Sequence, residues 1–199
     1  MTILNRLQES AFFSLLEDSL LENLATISTL KTIAKSSLLH YEIDSSSAIY
    51  FLSEGTIKVY KVDRFDNEVF LYHITKDNFI SEITAFDEQS ISCFANLEVS
   101  EDATIIAFEK QPFTLLYQND NAFLLHLFKA FSARSKMMQC LINREIIFDG
   151  MAKVAFMLLY DLETFNRYKK QEVAYMLNIK PETLSRILKK LTRKAYIPI

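Results

Sequence analysis

The sequence predicts an α+β fold in three parts: an N-terminal β-roll, a long helix and a C-terminal helix-turn-helix. Three observations predict it. Between about 31 and 110, short stretches rich in β-branched and aromatic residues recur every 8–14 residues, with polar turns between them. From about 121 to 148, apolar residues keep helical spacing. Residues 170–191 hold two short amphipathic runs separated by Asn178-Ile179-Lys180-Pro181. The 199-residue chain divides accordingly into 1–118, 119–148 and 149–199.

In the first part, Phe12, Leu15, Leu16, Leu20, Leu24 and Ile27 keep a 3.6-like spacing, so residues 10–33 are expected to be helical. Strands follow at 37–41, 48–52, 56–60, 68–74, 94–99 and 104–108. Their spacing fits an antiparallel roll or barrel. The chain has only two glycines, Gly55 and Gly150, where average usage would give about fourteen. Its turns must therefore rest on Asn, Asp and Ser, as at 44–47, 66–67 and 76–78. The same scarcity excludes a glycine-rich phosphate cradle. Pro112 starts a short helix through Tyr117, which Asn119, Asp120 and Asn121 break.

In the long helix, Leu127, Phe131, Arg134, Met138, Leu141, Glu145 and Phe148 follow a 4-3 heptad spacing. Leu124, Phe128, Ser135, Ile142 and Ile146 broaden that face. A stripe of this length is a coiled-coil dimer signal, with Leu127, Phe131, Met138 and Leu141 as the expected seam. A helix packed along its own β-domain is the competing reading. Phe148, Asp149 and Gly150 form a hinge candidate, Gly150 supplying backbone freedom. One further helix is expected over 151–166.

In the last part, Val173, Ala174 and Leu177 share one face of the first run; Leu184, Ile187, Leu188 and Leu191 share one face of the second. Asn178 tolerates the left-handed conformation that the tight turn needs. Pro181 suits the first turn of a helix, where its missing N–H is not required. Opposite the apolar face stand Glu182, Ser185, Arg186 and Lys189 at i, i+3, i+4 and i+7. A short helix with an anchored back and such a front fits the major groove of DNA. Arg can bond guanine O6 and N7, and Glu can accept from cytosine N4.

Charge agrees with that reading. Ten Lys and Arg against four acids make residues 150–199 +6, while the rest of the chain carries −9 of the total −3. One basic end on an acidic body suggests that this end meets phosphates. Half of the chain is hydrophobic, enough for a sizeable core, yet no 18-residue apolar run would cross a membrane. The first residues lack the apolar core of a signal peptide, so a cytoplasmic location is expected. Two cysteines, Cys93 and Cys140, make neither a disulfide framework nor a zinc motif, and no metal site is expected. With no catalytic triad, no supported acid–base pair and no phosphate loop, the chain is not expected to be an enzyme, and it has no candidate catalytic residue.

The order of a β-roll, a long helix, a hinge and a basic helix-turn-helix resembles the Crp/Fnr family of bacterial transcription regulators over nearly the whole chain. Residues 35–40 and 52–59 resemble the family's first strands, and Asn78 to Glu82 resembles its Gly-Asp-Phe-x-Gly-Glu segment with the glycines lost. Lys153 to Leu159 resembles the start of its DNA-binding domain. Pro181-Glu182-Thr183-Leu184-Ser185-Arg186 matches its recognition-helix signature in the Fnr-like version. The resemblance implies a cyclic-nucleotide-binding-like roll and a winged-helix-like DNA-binding domain whose wing is incomplete in the sequence given, being either vestigial or truncated. It implies a homodimer that regulates transcription at a palindromic, AT-rich, Fnr-like site. Its partners would be double-stranded DNA, a second copy of the chain and RNA polymerase, with no membrane. Glu182, Ser185 and Arg186 would contact bases. Lys169, Lys170, Gln171, Thr183 and Lys189 would contact phosphates.

Two departures bear on the signal. In the family's cyclic-nucleotide receptors, a Gly-Glu pair is followed about ten residues later by an Arg that pairs with the cyclic phosphate. The matching residues here, Ser81, Glu82, Ser92 and Cys93, form a degenerate effector pocket without that cation. Cyclic AMP is therefore not the expected effector. No cysteine precedes Cys93, so the cysteine-held iron–sulfur cluster of Fnr-type sensors is not expected either. Haem, with His40, His73 or His126 as axial ligand, a redox signal at Cys93 or Cys140, a hydrophobic small molecule bound by the roll, and no effector at all stay open. The alternative function is a cyclic-nucleotide-fold interaction module that does not act through DNA.

Overall fold

A computed structural model describes residues 2–42, 44–80 and 91–193. The chain forms two compact units: Met1–Glu68 with Tyr72–Phe131, and Val69–Leu71 with Ser132–Ile199.

The first unit opens with α1 (Ile3–Glu9) and α2 (Asp18–Thr26), then β1 (Ser28–Ile33). The helix expected over 10–33 is therefore two-thirds wrong in extent. Its apolar spacing is real in α2, where Leu20, Leu21 and Leu24 are buried. Beyond Ile27 the β-branched residues Thr29, Thr32 and Ile33 favour extended backbone, and β8 supplies a partner from Ser28↔Phe108 to Ile33↔Ala103. Seven further strands follow: β2 (Leu38–His40), β3 (Ser45–Ser46), β4 (Ala48–Val62), β5 (Glu68–Thr75), β6 (Asn78–Phe79), β7 (Ile91–Ser92) and β8 (Asn96–Glu109). Among the described residues the main sheet runs β1-β8-β4-β5, with β2 also on β8 and β6 on β4; β3 pairs with β7. The separate strands expected at 48–52 and 56–60 are one strand, β4, which passes through Gly55 at φ 97° where its register against β8 shifts. Turns elsewhere use left-handed Ser36, Asp66 and Asp77, at φ 65°, 60° and 63°, as the glycine shortage requires.

The roll's core is aromatic. Phe13 is fully buried and meets Phe51 at 4.7 Å and Phe108 at 5.7 Å between ring centroids; Phe108 meets Phe113 at 5.1 Å. Helix α3 (Lys110–Asn119) continues this core through Phe113 and Tyr117. Asp120 then starts α4 (Asn121–Ile142), its Oδ1 accepting from the N–H of Phe123 at 2.9 Å.

Helix α4 changes the expected dimer seam. Leu127 is 0% exposed and belongs to the roll's own core with Phe123, and Phe131 leans partly against the same core. The heptad stripe thus turns toward its own protein at Leu127, which cannot also face a second copy. Met138 and Leu141 are half-buried. Of the exposed apolar residues of α4, Leu124, Phe128 and Ile142 lie beside that stripe on the helix surface, while Leu125 and Met137 lie elsewhere on it. The expected long helix ends at Ile142 and is followed by a π-helical turn, Asn143–Ile147.

The second unit holds α5 (Gly150–Tyr160), α6 (Leu162–Arg167), α7 (Lys170–Met176) and α8 (Pro181–Arg193). Asp149 caps α5 by accepting from the N–H of Ala152 at 2.8 Å. Gly150 sits in the first turn of that helix and its φ is not positive, so no conformational freedom is used at the expected hinge. The single helix expected over 151–166 breaks at Asp161, whose extended φ of −146° starts α6 and lets Phe165 turn into the core. That core comprises Val154, Met157, Phe165, Val173, Ala174, Leu177, Leu184 and Ile187, with Phe70.

Candidate nucleic-acid interface

Helices α7 and α8 are joined by a turn whose chemistry follows from its residues. The N–H of Ile179 donates to the Ala174 carbonyl and that of Asn178 to the Tyr175 carbonyl, both at 3.0 Å. These are the paired bonds of a Schellman ending, and Asn178 takes the left-handed position at φ 51°. At the other end of α7, Glu172 accepts from the backbone N–H of Lys169 at 2.8 Å, half of a capping box. Val173, Ala174 and Leu177 are buried, as are Leu184 and Ile187 of α8, while Leu188 and Leu191 are half-buried. Packing thus fixes the back of α8 and leaves its front to solvent.

On that front Glu182, Thr183, Ser185, Arg186 and Lys189 are all exposed. The residues at the start of α7, Lys169, Lys170 and Gln171, are exposed too. A groove of about 530 Å³ runs between them, lined by Lys170, Gln171, Pro181, Ser185, Leu188 and Lys189 among others. The groove therefore brings together Ser185 of the base-contact candidates and Lys170, Gln171 and Lys189 of the phosphate-contact candidates, while Lys169, Glu182, Thr183 and Arg186 are exposed but do not line it. Sequence reading missed one feature: the Lys170 ammonium lies 3.4 Å from the centre of the Phe165 ring. Partial burial there holds its pKa below the usual lysine range. A cation seated on a ring is pre-positioned but shares its charge with that ring.

The expected effector residues fare differently. Ser81 and Glu82 lie outside the described residues. Ser92 belongs to β7, where its backbone pairs with Ser45. Cys93 is half-buried, and its N–H donates to the Asp44 carbonyl at 2.8 Å. Cys140 is exposed on α4. Of the histidines, His126 places Nε2 at 2.6 Å from the Phe12 carbonyl, so that nitrogen carries the proton and is not available to iron. His40 is pushed below the usual histidine pKa by burial, and its Nε2 is buried without a hydrogen-bond partner among the described residues. His73 lies in β5. Among the described residues, no group of three or more His, Cys, Asp or Glu is placed to hold a metal.

Residues 30–120 match the cyclic nucleotide-binding domain family. The matched residues run from within β1 through α3 to the residue before α4. No curated protein sequence matches the chain. Solved structures extend the likeness beyond the matched residues. CLP, a c-di-GMP-responsive global regulator of Xanthomonas campestris, is 14% identical with a TM-score of 0.69, covering 92% of this chain and 95% of its own. A CooA mutant from Carboxydothermus hydrogenoformans is 17% identical with a TM-score of 0.71, covering 98% and 85%. DNR from Pseudomonas aeruginosa is 22% identical with a TM-score of 0.53, covering 96% and 87%. At these identities the likeness is one of fold. Among the described residues no helix is long and apolar enough to cross a membrane.

Proposed function

We propose that the chain is a homodimeric, sequence-specific DNA-binding regulator of transcription, with α7 and α8 as its helix-turn-helix. The observation that carries this reading is the front of α8, where Glu182, Ser185, Arg186 and Lys189 are exposed together on a helix whose back is buried. A major groove accepts such a helix, and guanine, cytosine and phosphate groups match those side chains. Lys169, Lys170, Gln171, Thr183 and Lys189 surround the front as phosphate partners. The full-length likeness to structures that include a global regulator supports the same reading.

The second copy joins along α4. Leu124, Phe128 and Ile142 form the middle of the seam, flanked by Phe131 and Met138, in place of the Leu127-centred seam that heptad spacing suggested. Two recognition helices then meet successive major grooves about 34 Å apart, on a near-palindromic, AT-rich, Fnr-like site. RNA polymerase is the further partner this role entails.

The experiment is a gel shift at defined salt on a duplex that the protein itself selects from a random pool. Arg186→Ala is expected to cost about 1–3 kcal/mol on that duplex and to relax the preference at one position of each half-site. Lys169→Ala is expected to weaken selected and random duplexes alike and to flatten the salt dependence. Equal losses on both duplexes for Arg186→Ala would remove its assignment to base readout. A protein that selects no duplex would return the chain to an interaction module that does not act through DNA.

The effector in this reading is not cyclic AMP. Burying a phosphate anion needs a cation, and Ser92 and Cys93 stand where one is required. Calorimetry with micromolar cyclic AMP should give no saturable heat, and the DNA affinity should be the same with and without the nucleotide. Saturable binding lost in Arg134→Ala would show instead that the long helix supplies the missing cation.

A further inference from the structure

Glu145 lies in the π-helical turn after α4, within the second unit, and its carboxylate is surrounded by donors. Its Oε2 accepts from Lys153 Nζ of α5 at 2.5 Å and from Asn178 Nδ2 at 3.3 Å. Its Oε1 accepts from Arg144 Nε at 2.8 Å. Lys153 makes a second bond, to the Leu177 carbonyl at 3.3 Å, and Asn178 makes another, to the Phe70 carbonyl at 2.9 Å. Burial opposes the charge on Glu145, yet the bonds from Lys153 and Arg144 outweigh it and hold the carboxyl below its usual pKa.

Leu177 caps the end of α7, and Asn178 is the left-handed residue of the turn that leads to α8. The Lys153 side chain is only 9% exposed, so its charge is costly without a partner, and Glu145 is that partner. Asn178 carries a further clue. Its left-handed φ would be met as well by glycine, which offers no side chain. What Asn178 adds is an amide whose Nδ2 donates to the Phe70 carbonyl and to Glu145.

We propose that Glu145 is a positioning residue for DNA binding: by holding Lys153 and Asn178 it clamps the α7–α8 turn to α5 and fixes the angle at which α8 presents Glu182, Ser185 and Arg186. This rests on the DNA-binding reading above. The clamp itself is a property of the free protein, so the two can fail separately.

Glu145→Gln keeps the shape and removes the charge. Hydrogen exchange followed by mass spectrometry should then show the amides of Asn178 and Ile179 exchanging about tenfold faster, with those of Val154 and Met157 on α5 unchanged. Affinity for the selected duplex should fall about tenfold or more, while the salt slope stays that of the unaltered protein because no phosphate contact is lost. Asn178→Gly, which satisfies the backbone and deletes the amide, should weaken the same duplex in the same way, and adding it to Glu145→Gln should cost little more. Unchanged exchange at Asn178 and Ile179 in Glu145→Gln overturns the clamp. Faster exchange with full DNA affinity, or full affinity in Asn178→Gly, overturns its role in positioning α8. If the unaltered protein selects no duplex, the DNA-binding reading falls, taking the positioning role with it, while the exchange measurement still decides the clamp.

Discussion

Gly55→Ala is expected to destabilise the protein by about 2–4 kcal/mol, read as a fall in Tm of roughly 5–15 °C. Two costs add. Gly55 adopts φ 97°, where L side chains are strained. A Cβ built there would also lie 2.5 Å from the Asp102 carbonyl oxygen and 2.8 Å from the Ala103 Cα. Both contacts are to backbone of β8, which cannot withdraw without breaking its ladder with β4. Gly55→Asn separates the two terms, because Asn relieves some backbone strain but brings the same Cβ. If Asn restores most of the lost stability, the close approach of β8 is not the dominant cost. A Tm unchanged in Gly55→Ala would mean that β4 and β8 do not cross there as closely as described.

Phe128→Glu is expected to convert the protein to a monomer at micromolar concentration while leaving its Tm nearly unchanged. Phe128 is 66% exposed, so a carboxylate there meets water in the single chain and an apolar seam only in a dimer. Because two linked half-site contacts become one, affinity for a palindromic duplex should drop by about a hundredfold or more. Leu127→Glu gives the opposite signature, since Leu127 is fully buried with Phe123 in the roll's core. It should fail to fold before its association can be measured. Sedimentation of Phe128→Glu as a tight dimer would exclude this face as the seam.

How much was legible in the sequence differs between the two ends of the chain. The α7–α8 turn could be read residue by residue, because Asn178 and Pro181 answer local backbone needs and the buried spacing of Val173, Ala174, Leu184 and Ile187 is short-range. The strands were legible individually but not where they joined. Whether 48–52 and 56–60 form one strand depends on β8 lying close against Gly55, a contact between residues far apart in sequence. The same limit explains Ser28–Ile33, extended because β8 pairs with it. On α4 the spacing was right and the facing was wrong. A stripe broad enough for both a core and a seam does not say which edge is which; Leu127 went to the core and Phe128 stayed outside. Glu145 was hidden for another reason. Its spacing placed it on the heptad stripe, and nothing local marks Lys153 and Asn178 as its partners.

The π-helical turn at Asn143–Ile147 has a consequence for how α4 can be copied across a two-fold axis. A π-turn accommodates one residue more than an α-turn, here closed by the Phe148 N–H on the Asn143 carbonyl at 3.2 Å. One extra residue rotates everything downstream by about a quarter-turn relative to an uninterrupted α-helix. It acts as a phase slip. Apolar residues before it and after it, Ile142 on one side and Ile146 and Ile147 on the other, cannot stay in step along a single knobs-into-holes ladder. Any zipper built on α4 must therefore terminate near Ile142, leaving the downstream residues free to engage groups of their own unit, as Glu145 does.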